Sequence, residues 1–485
     1  MGFSFIPIYI SYLGIEAYGL IGAFTILQVW LGLLDMGLAI TLNREFAKFV
    51  AGSTKIQNIK NLLRSVEIIT LFCAVLVVFI FSFSSKWLGD YWINAENISS
   101  QEIEILFILL SFIIALRFFE GIYRSALIGL QKLILFNLLS AAIATFRGLG
   151  AVVILIWISP TLEAFFVWQV AIAFIATVIF AAYVYSSMPR SNTTGVFSWI
   201  ALHRIKGFAV GVLGMSVLSM LLTQLDKIML SKILTLSEFG YYILATTVAG
   251  ILNVMIGPIV QALFPRLCEL HSRGDEITFL NIFHKSAQLV SITVGSVAIV
   301  IIVHADLFLR VWTQDDLLTS RIAPLLSILT IGTLLNCLMW IPFQLQMSHG
   351  STRVIVYLNV VACILIIPSI LWVTPIYGVE GAAWIWVLLN MGYFFIGSHF
   401  IFKVIVKKEM WRWYLQDVAA PIFTGFVGVY ALSFFANPIN LNMNIILQII
   451  YLALTLAICI VLSFLSAGRI RRLFFNYILN RWDAK

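Results

Sequence analysis

Residues 13–19 read Leu-Gly-Ile-Glu-Ala-Tyr-Gly, and residues 234–240 read Leu-Thr-Leu-Ser-Glu-Phe-Gly. Weaker matches follow both stretches in the same order, at offsets of 215 to 222 positions. Preserved order at one offset indicates an internal repeat. Alternatively, these matches do not reflect a repeat, because glycine and proline recur at helix ends in any polytopic membrane protein. The further pairs are Asn43-Arg44 with Pro265-Arg266, Gly129 with Gly350, and Trp157 with Trp372.

The composition places the chain in a membrane. Of its 485 residues, 61% are hydrophobic and 11% are charged, against roughly 45–50% and about 25% in soluble proteins. The mean hydropathy is +1.02. So few charged side chains cannot cover a water-soluble surface, which excludes soluble enzymes, nucleic-acid-binding factors and disordered proteins. The fold class that remains is an all-α polytopic membrane protein.

A helix needs about 20 apolar residues to cross the bilayer, and this length predicts about fourteen transmembrane helices. The first is short, so we expect the true start of the protein to lie upstream of Met1. The predicted spans are 3–13, 17–40, 66–86, 103–127, 133–158, 164–187, 208–231, 239–264, 286–304, 322–346, 354–373, 380–402, 418–436 and 444–466.

Six predicted spans separate the two copies of the repeat. An even number gives both copies the same orientation, and parallel repeats of this kind are typical of transporters that alternate access between two halves. We therefore predict two parallel six-helix lobes followed by an additional helix pair and a basic cytoplasmic tail. Their predicted ranges are 1–190 for the N-lobe, 206–403 for the C-lobe, 415–466 for the helix pair and 467–485 for the tail.

The basic residues predict the orientation. Of the 30 lysines and arginines, 23 lie in one set of alternating loops and in the tail. Because such loops face the cytoplasm, both termini are expected there. The same alternation explains the net charge of +8 without a nucleic-acid partner. The five cysteines and six histidines show no metal-ligand spacing, so no metal site is expected.

Several stretches resemble the polysaccharide (O-antigen) flippase family of the multidrug/oligosaccharidyl-lipid/polysaccharide exporter superfamily. The stretches that carry the resemblance are 7–9, 13–20, 34–38, 44–47, 225–227 and 238–242. The resemblance implies a non-enzymatic transporter of the bacterial cytoplasmic (inner) membrane. Such a transporter flips an isoprenoid-pyrophosphate-linked oligosaccharide to the outer leaflet for surface polysaccharide biosynthesis. Its implied partners are membrane lipids, a polysaccharide polymerase and a chain-length regulator.

Two arginines lie deep inside predicted spans. Arg117 and Arg147 are each about fourteen residues into a span, where an ionisable side chain costs about 2.5–3.5 kcal/mol. The paired donors of a guanidinium suit a pyrophosphate. Alternatively, Glu120 neutralises Arg117 and Arg124 extends to the inner surface, which leaves Arg147 unpaired.

Other charges suggest a gate and an entrance. Asp226 and Lys227 lie late in span seven. Three roles are open for them: a gate, a proton or sodium coupling site, or an interfacial ion pair. Asp35 lies late in span two and can pair with Arg44. Arg44 and Arg266 are repeat-related and form either a basic ring at the cytoplasmic entrance or ordinary positive-inside anchors. No cofactor is expected, and no phosphate-binding loop for ATP is present; coupling to a proton or sodium gradient stays open.

The flippase has two rivals: a drug antiporter and a membrane enzyme, either a polymerase or an acyltransferase. A cation-coupled drug antiporter of the same superfamily would have a cavity rich in acidic residues, whereas the charges inside these spans are mainly basic. A polysaccharide polymerase would need a large outer loop, and the longest one here covers only about 87–102. A membrane acyltransferase would need a membrane-embedded histidine with acidic partners, and His304 stands beside Asp306 only at a span end.

Overall fold

A computed structural model describes residues 2–35, 37–52, 54–189, 194–350, 353–435 and 444–473. These residues form helices joined by short connections, and none of them lies in a β-strand. The all-α fold class predicted from the composition is therefore confirmed. The chain divides into two compact units, Met1–Gly240 and Tyr241–Lys485. The lobe boundaries drawn from the repeat stay a prediction.

Unit 1 is organised around one helix, α4, which packs against α2, α3 and α6. Its core joins apolar residues of these helices, including the fully buried Leu42, Phe46 and Val66. A 3₁₀ turn, Gly32–Asp35, precedes α2. The helices are α1 Gly2–Leu31, α2 Leu38–Val50, α3 Ile56–Tyr91, α4 Ser100–Gly129, α5 Leu133–Trp157, α6 Leu162–Ser187, α7 Trp199–Ile233 and α8 Leu236–Ala249, the last of which continues into unit 2.

Unit 2 is organised around α10, which packs against α9, α12, α16 and α17. Two π-helical stretches, Tyr393–Gly397 and Trp413–Ala419, precede α14 and α16. The remaining helices are α9 Ile251–Arg273, α10 Glu276–Val303, α11 Ala305–Thr313, α12 Asp316–Ser348, α13 Arg353–Gly392, α14 Ser398–Ile405, α15 Met410–Arg412, α16 Ala420–Phe435 and α17 Ile445–Ser466.

Small polar residues begin several of these helices. The side chains of Ser99, Thr161, Ser198 and Asp275 each accept a hydrogen bond from a backbone N–H in the first turn that follows. The first N–H groups of a helix have no partner inside it, so such a cap satisfies one of them. At Asp275, the hydrogen bonds from Thr278 also lower the pKa of the carboxyl group.

A glycine turns the chain back within α1. Gly14 has φ 84° and ψ 167°, outside helical geometry and in a region that suits glycine. The ring of Tyr9 contacts the ring of Phe165, and the ring of Phe24 contacts that of the next residue, Phe166. An unbroken helix would separate Tyr9 from Phe24 by about 22 Å. The predicted spans 3–13 and 17–40 are therefore joined by a tight hairpin.

The same arrangement recurs within α13, at Gly378, which has φ 59° and ψ −145°. The hydroxyl of Tyr393 donates a 2.9 Å hydrogen bond to Asn359, 34 positions earlier. A continuous helix would hold these residues about 50 Å apart, so the chain must reverse between them. This turn separates the eleventh and twelfth predicted spans.

Within the described residues, eleven helical segments are long and apolar enough to cross a membrane. Two of them contain the hairpin turns, and α7 adds a helix of 35 residues, so the segments correspond to the fourteen predicted spans. Several predicted boundaries are wrong. The span 17–40 stops being α-helical at Leu31, and α3 and α10 begin at Ile56 and Glu276 rather than at 66 and 286. Polar residues extend helices beyond the apolar stretch that hydropathy detects.

The two copies of the repeated motif meet within unit 1. A methyl group on Gly19 would overlap the carbonyl oxygen of Leu236, and one on Gly240 would overlap that of Ile15. The contact is reciprocal, because each glycine lies against the carbonyl four residues before the other. Only hydrogen fits at either position, which allows the backbones this close approach.

The segment after α3 forms hydrogen bonds with both copies of the repeated motif. The buried carboxylate of Glu16 accepts hydrogen bonds from the backbone N–H groups of Glu96 and Asn97 and from the Asn97 amide, at 2.6 to 3.2 Å. Asn94 donates to the carbonyls of Lys232 and Leu234. One loop thereby contacts the start of both repeats.

We expect Gly19→Ala to destabilise the protein, because the new methyl group must push two backbones apart. The matched control is Gly257→Ala in α9, where an added methyl group meets no atom within 4 Å and alanine favours the helix by up to about 1 kcal/mol. Thermal unfolding of both purified variants measures the difference. Equal midpoints would show that the glycine contact does not hold the fold.

Candidate functional site

The candidate site is built on α4. Arg117, Glu120 and Arg124 are spaced by three and four residues, so their side chains lie along one side of the helix. Glu120 is 4% exposed and accepts a 3.2 Å ion pair from Arg124. Its other oxygen lies 3.4 Å from the guanidinium of Arg147 on α5. One buried carboxylate thus joins two helices and two arginines.

This pairing corrects two expectations from the sequence. The alternative in which Glu120 neutralises Arg117 is wrong, because the ion pairs of Glu120 are with Arg124 and Arg147. Arg147 was expected to be unpaired, and this was wrong for the same reason. Spacing along α4 could not reveal the contact, because it depends on how closely α5 approaches.

The two paired arginines are also held in place by aromatic residues. The guanidinium carbon of Arg124 lies 5.3 Å from the ring centre of Phe136 and 5.8 Å from that of Phe180, an arrangement that attracts a cation to the ring face. The indole of Trp168 donates a 3.2 Å hydrogen bond to the backbone carbonyl of Arg147. The rings thus hold the guanidinium group of Arg124, and the indole holds the backbone of α5 at Arg147.

Arg117 differs from its two neighbours. It forms no ion pair with any residue that the structure describes, and its buried Nε has no hydrogen-bond partner. Its side chain lines a cavity of about 240 Å³ between α1 and α4. An unsatisfied buried donor is costly and calls for a partner. The other lining residues are Thr25, Gln28, Val29, Gly32, Ile114, Phe118 and Gly121.

The site carries a net positive charge. Three arginines surround one glutamate, which leaves a formal charge of +2 within this part of unit 1. Charge inside a membrane span attracts a counter-charge strongly, because water does not screen it well. The cavity therefore suits an anionic group that can accept hydrogen bonds from Arg117.

The structure does not bring the other predicted residues to this site. Asp226 and Lys227 lie near the end of α7, half-buried, and the side chain of Asp35 lies outside the described part of the chain. Arg44 is exposed on α2, while Arg266 is exposed on α9 and pairs with Glu269 at 2.6 Å. The gate and the entrance ring stay predictions.

Sequence reasoning missed a buried carboxylate on α3. Glu67 is 5% exposed and accepts hydrogen bonds from the hydroxyls of Tyr123 and Tyr185, at 2.8 and 2.6 Å. Arg64 completes the set with an ion pair at 3.2 Å. The signal was present, since a glutamate close to an apolar run is unusual, but Glu67 stands at the edge of that run.

A second missed cluster lies in unit 2. His284, inside α10, has Asp417 on one ring nitrogen and Glu409 on the other. The expectation that histidine with acidic partners occurs only at a span end is therefore wrong. The His284 side chain is 1% exposed, so a substrate cannot reach it, and the cluster gives no support to an acyltransferase.

Comparisons with known proteins agree on the fold. An inward-facing multidrug resistance MATE transporter of the MOP superfamily superposes with a TM-score of 0.65 at 14% identity, over 83% of this chain and 94% of its own. The lipid II flippase MurJ, in an inward closed conformation, superposes with a TM-score of 0.69 at 13% identity, over 98% of both chains. The chain therefore shares the fold of these two transporters.

Sequence comparison narrows the class to a family. The model of the polysaccharide biosynthesis protein family matches residues 1–271, more than half of the chain, and the chain belongs to that family. A Shigella flexneri protein named as a candidate O-antigen transporter is 22% identical over 374 residues, which cover 77% of this chain and 87% of that protein. The resemblance seen in the sequence is thereby confirmed.

We expect Glu120→Gln to destabilise unit 1, because it leaves two arginines without their shared counter-charge. Removing one partner of a buried ion pair costs about 3–5 kcal/mol. Glu104→Gln on the same helix is the control, since Glu104 forms no ion pair with the residues that the structure describes. Thermal unfolding in detergent compares the two variants, and an unchanged midpoint for Glu120→Gln would refute the structural role of this carboxylate.

Proposed function

We propose that this protein flips an isoprenoid-pyrophosphate-linked oligosaccharide from the cytoplasmic to the outer leaflet of the bacterial inner membrane. The observation that carries the proposal is Arg117, which lines a cavity of unit 1 and has no ion-pair partner among the described residues, while its buried Nε has no hydrogen-bond partner. Membership of the polysaccharide biosynthesis family and the named O-antigen relative support it. The product would enter surface polysaccharide such as O-antigen, capsule or exopolysaccharide.

The charge of the cargo matches that of the site. A pyrophosphate that links a lipid to a sugar carries one negative charge on each phosphorus, and hence two in all. The arginine cluster carries an excess of two positive charges. Pairing the pyrophosphate with the arginines offsets the desolvation cost of these ions inside the bilayer, which would be several kcal/mol for each isolated ion. The headgroup could then cross while the isoprenoid stays in lipid.

In this proposal, Arg117, Arg147 and Glu120 have different roles. Arg117 donates hydrogen bonds to phosphate oxygens through its planar fork. Arg147 adds positive charge from α5, and Glu120 positions it without touching the cargo. Alternating access between the two predicted lobes would expose the site to each side in turn. A proton or sodium gradient would supply the energy, and a polymerase and a chain-length regulator would act on the product.

Deletion of the gene tests the transport step directly. We expect surface polysaccharide to disappear and single lipid-linked repeat units to accumulate on the cytoplasmic side of the membrane. Radiolabelled lipid extracts and surface staining measure the two quantities. Single units that reach the cell surface without being polymerised would instead indicate an enzyme of assembly.

Point substitutions test the site itself. We expect Arg117→Gln and Arg147→Gln to reduce export at least tenfold at normal protein level, because each removes a positive charge that the pyrophosphate needs. Arg310→Gln is the matched control: Arg310 pairs with the exposed Asp316 in unit 2 and is not among the residues that line the cavity. Surface polymer in a complemented deletion strain measures export, and full export by both site variants would remove the basis of the proposal.

A drug antiporter is the second candidate, because the MATE transporter shares the fold. A cationic drug would meet a site that carries excess positive charge, and repulsion in a poorly screened environment disfavours its binding. If the deletion strain keeps its polysaccharide but becomes sensitive to cationic dyes, the antiporter replaces the flippase as the proposed function.

A further inference from the structure

Both ring nitrogens of His284 face carboxylate oxygens. Nδ1 contacts Oδ2 of Asp417, and Nε2 lies 3.0 Å from Oε2 of Glu409. Neutral imidazole has one N–H and one lone pair. One of the two contacts would then set a lone pair against an anionic oxygen, unless a carboxyl group carried the proton. The arrangement therefore requires one proton more than neutral histidine and two carboxylates provide.

The groups that meet His284 come from outside the predicted repeat. Glu409 immediately precedes α15, and Asp417 lies in the π-helical stretch that leads into α16. We call α16 and α17 the appended pair, because they correspond to the two spans beyond the repeated lobes. A single histidine of α10 thus binds the segment through which the appended pair begins.

Gln288, one turn further along α10, binds both ends of the appended pair. Its amide nitrogen donates to Oδ1 of Asp417 at 2.9 Å. Its amide oxygen accepts hydrogen bonds from the backbone N–H groups of Arg469 and Ile470, which follow α17, at 3.1 and 3.2 Å. His284 and Gln288 are buried, so these bonds form in a setting where leaving any of them unmade is costly.

The four groups that contact one another in the cluster balance in charge when the extra proton is present. Arg412 pairs with Glu409 at 3.1 Å, so protonated His284 and Arg412 offset Asp417 and Glu409. Lys285 is half-buried next to His284 on α10. The other helices that pack against α10, namely α9, α11, α12, α16 and α17, add no ion pair to this cluster among the residues that the structure describes.

Unit 1 offers a contrast in a buried residue of α3, Glu67. Its carboxylate is held by the hydroxyls of Tyr123 and Tyr185, which keep their protons near neutral pH. Histidine is the side chain that changes charge between about pH 5 and pH 8. Only the cluster of unit 2 combines it with two carboxylates at a π-helical stretch, a feature frequent at functional sites.

We propose that His284, Asp417 and Glu409 form a proton-binding site that locks the appended pair onto α10. The docked pair holds one proton that the undocked pair releases. Docking is therefore strong at low pH and weakens as pH rises through the titration of the site. This lock does not depend on what the protein transports, so it stands or falls separately from the flippase proposal.

Hydrogen exchange of the full-length protein in lipid nanodiscs tests the lock without any substrate. The reporter is the peptide that covers 409–419, measured by mass spectrometry from about pH 5 to pH 8 and corrected for the intrinsic effect of pH on exchange. One released proton predicts that protection falls by up to tenfold for each pH unit over the range in which the docked pair holds the proton and the undocked pair has lost it. Peptides from α12 are expected to keep constant protection.

Two variants identify the group that titrates. His284→Gln is expected to show low protection of 409–419 at every pH, because the proton-binding group is gone. His304→Gln is the matched control: His304 is buried at the C-terminal end of α10, and the variant is expected to keep the wild-type slope. The proposal would be overturned if protection of 409–419 in the wild-type protein did not change with pH, or if His284→Gln kept the wild-type slope.

Discussion

The carboxylate of Glu120 is the interaction on which the interior of unit 1 depends. It is the single acid among three arginines, and it is satisfied by two of them. A charge within a membrane span is tolerated only when it is paired or faces a polar cavity. Both conditions are met here, by different arginines. The pairing of Arg124 and Arg147 leaves Arg117 as the group that faces the cavity.

The sequence predicted the parts of this structure that depend on one segment at a time. Hydropathy located the spans, and the repeated glycine motifs indicated the internal repeat. Arg117 and Arg147 stood out because charges are rare inside apolar runs. Their pairing was not predictable, because the approach of α5 to α4 is a tertiary property that spacing along either helix does not encode.

The two clusters that the sequence reasoning missed share one cause. Glu67 and His284 each lie within two residues of a predicted span start, at 66 and 286, whereas α3 and α10 begin ten residues earlier. Hydropathy does not show that neighbouring helices bury the polar residues there. The partners of His284 come from 409–419, a stretch more than a hundred residues later. Such a pairing emerges only when the chain has folded.

The contact between Gly19 and Gly240 has a consequence for the history of the chain. Each glycine touches the segment that contains its own counterpart, and the contacts are reciprocal. Residues meet their own copies in this way along the axis of a twofold-symmetric dimer. An ancestral gene that encoded one six-helix copy would have produced a homodimer joined at this glycine. Gene duplication and fusion would then have preserved an interface that already existed between separate subunits.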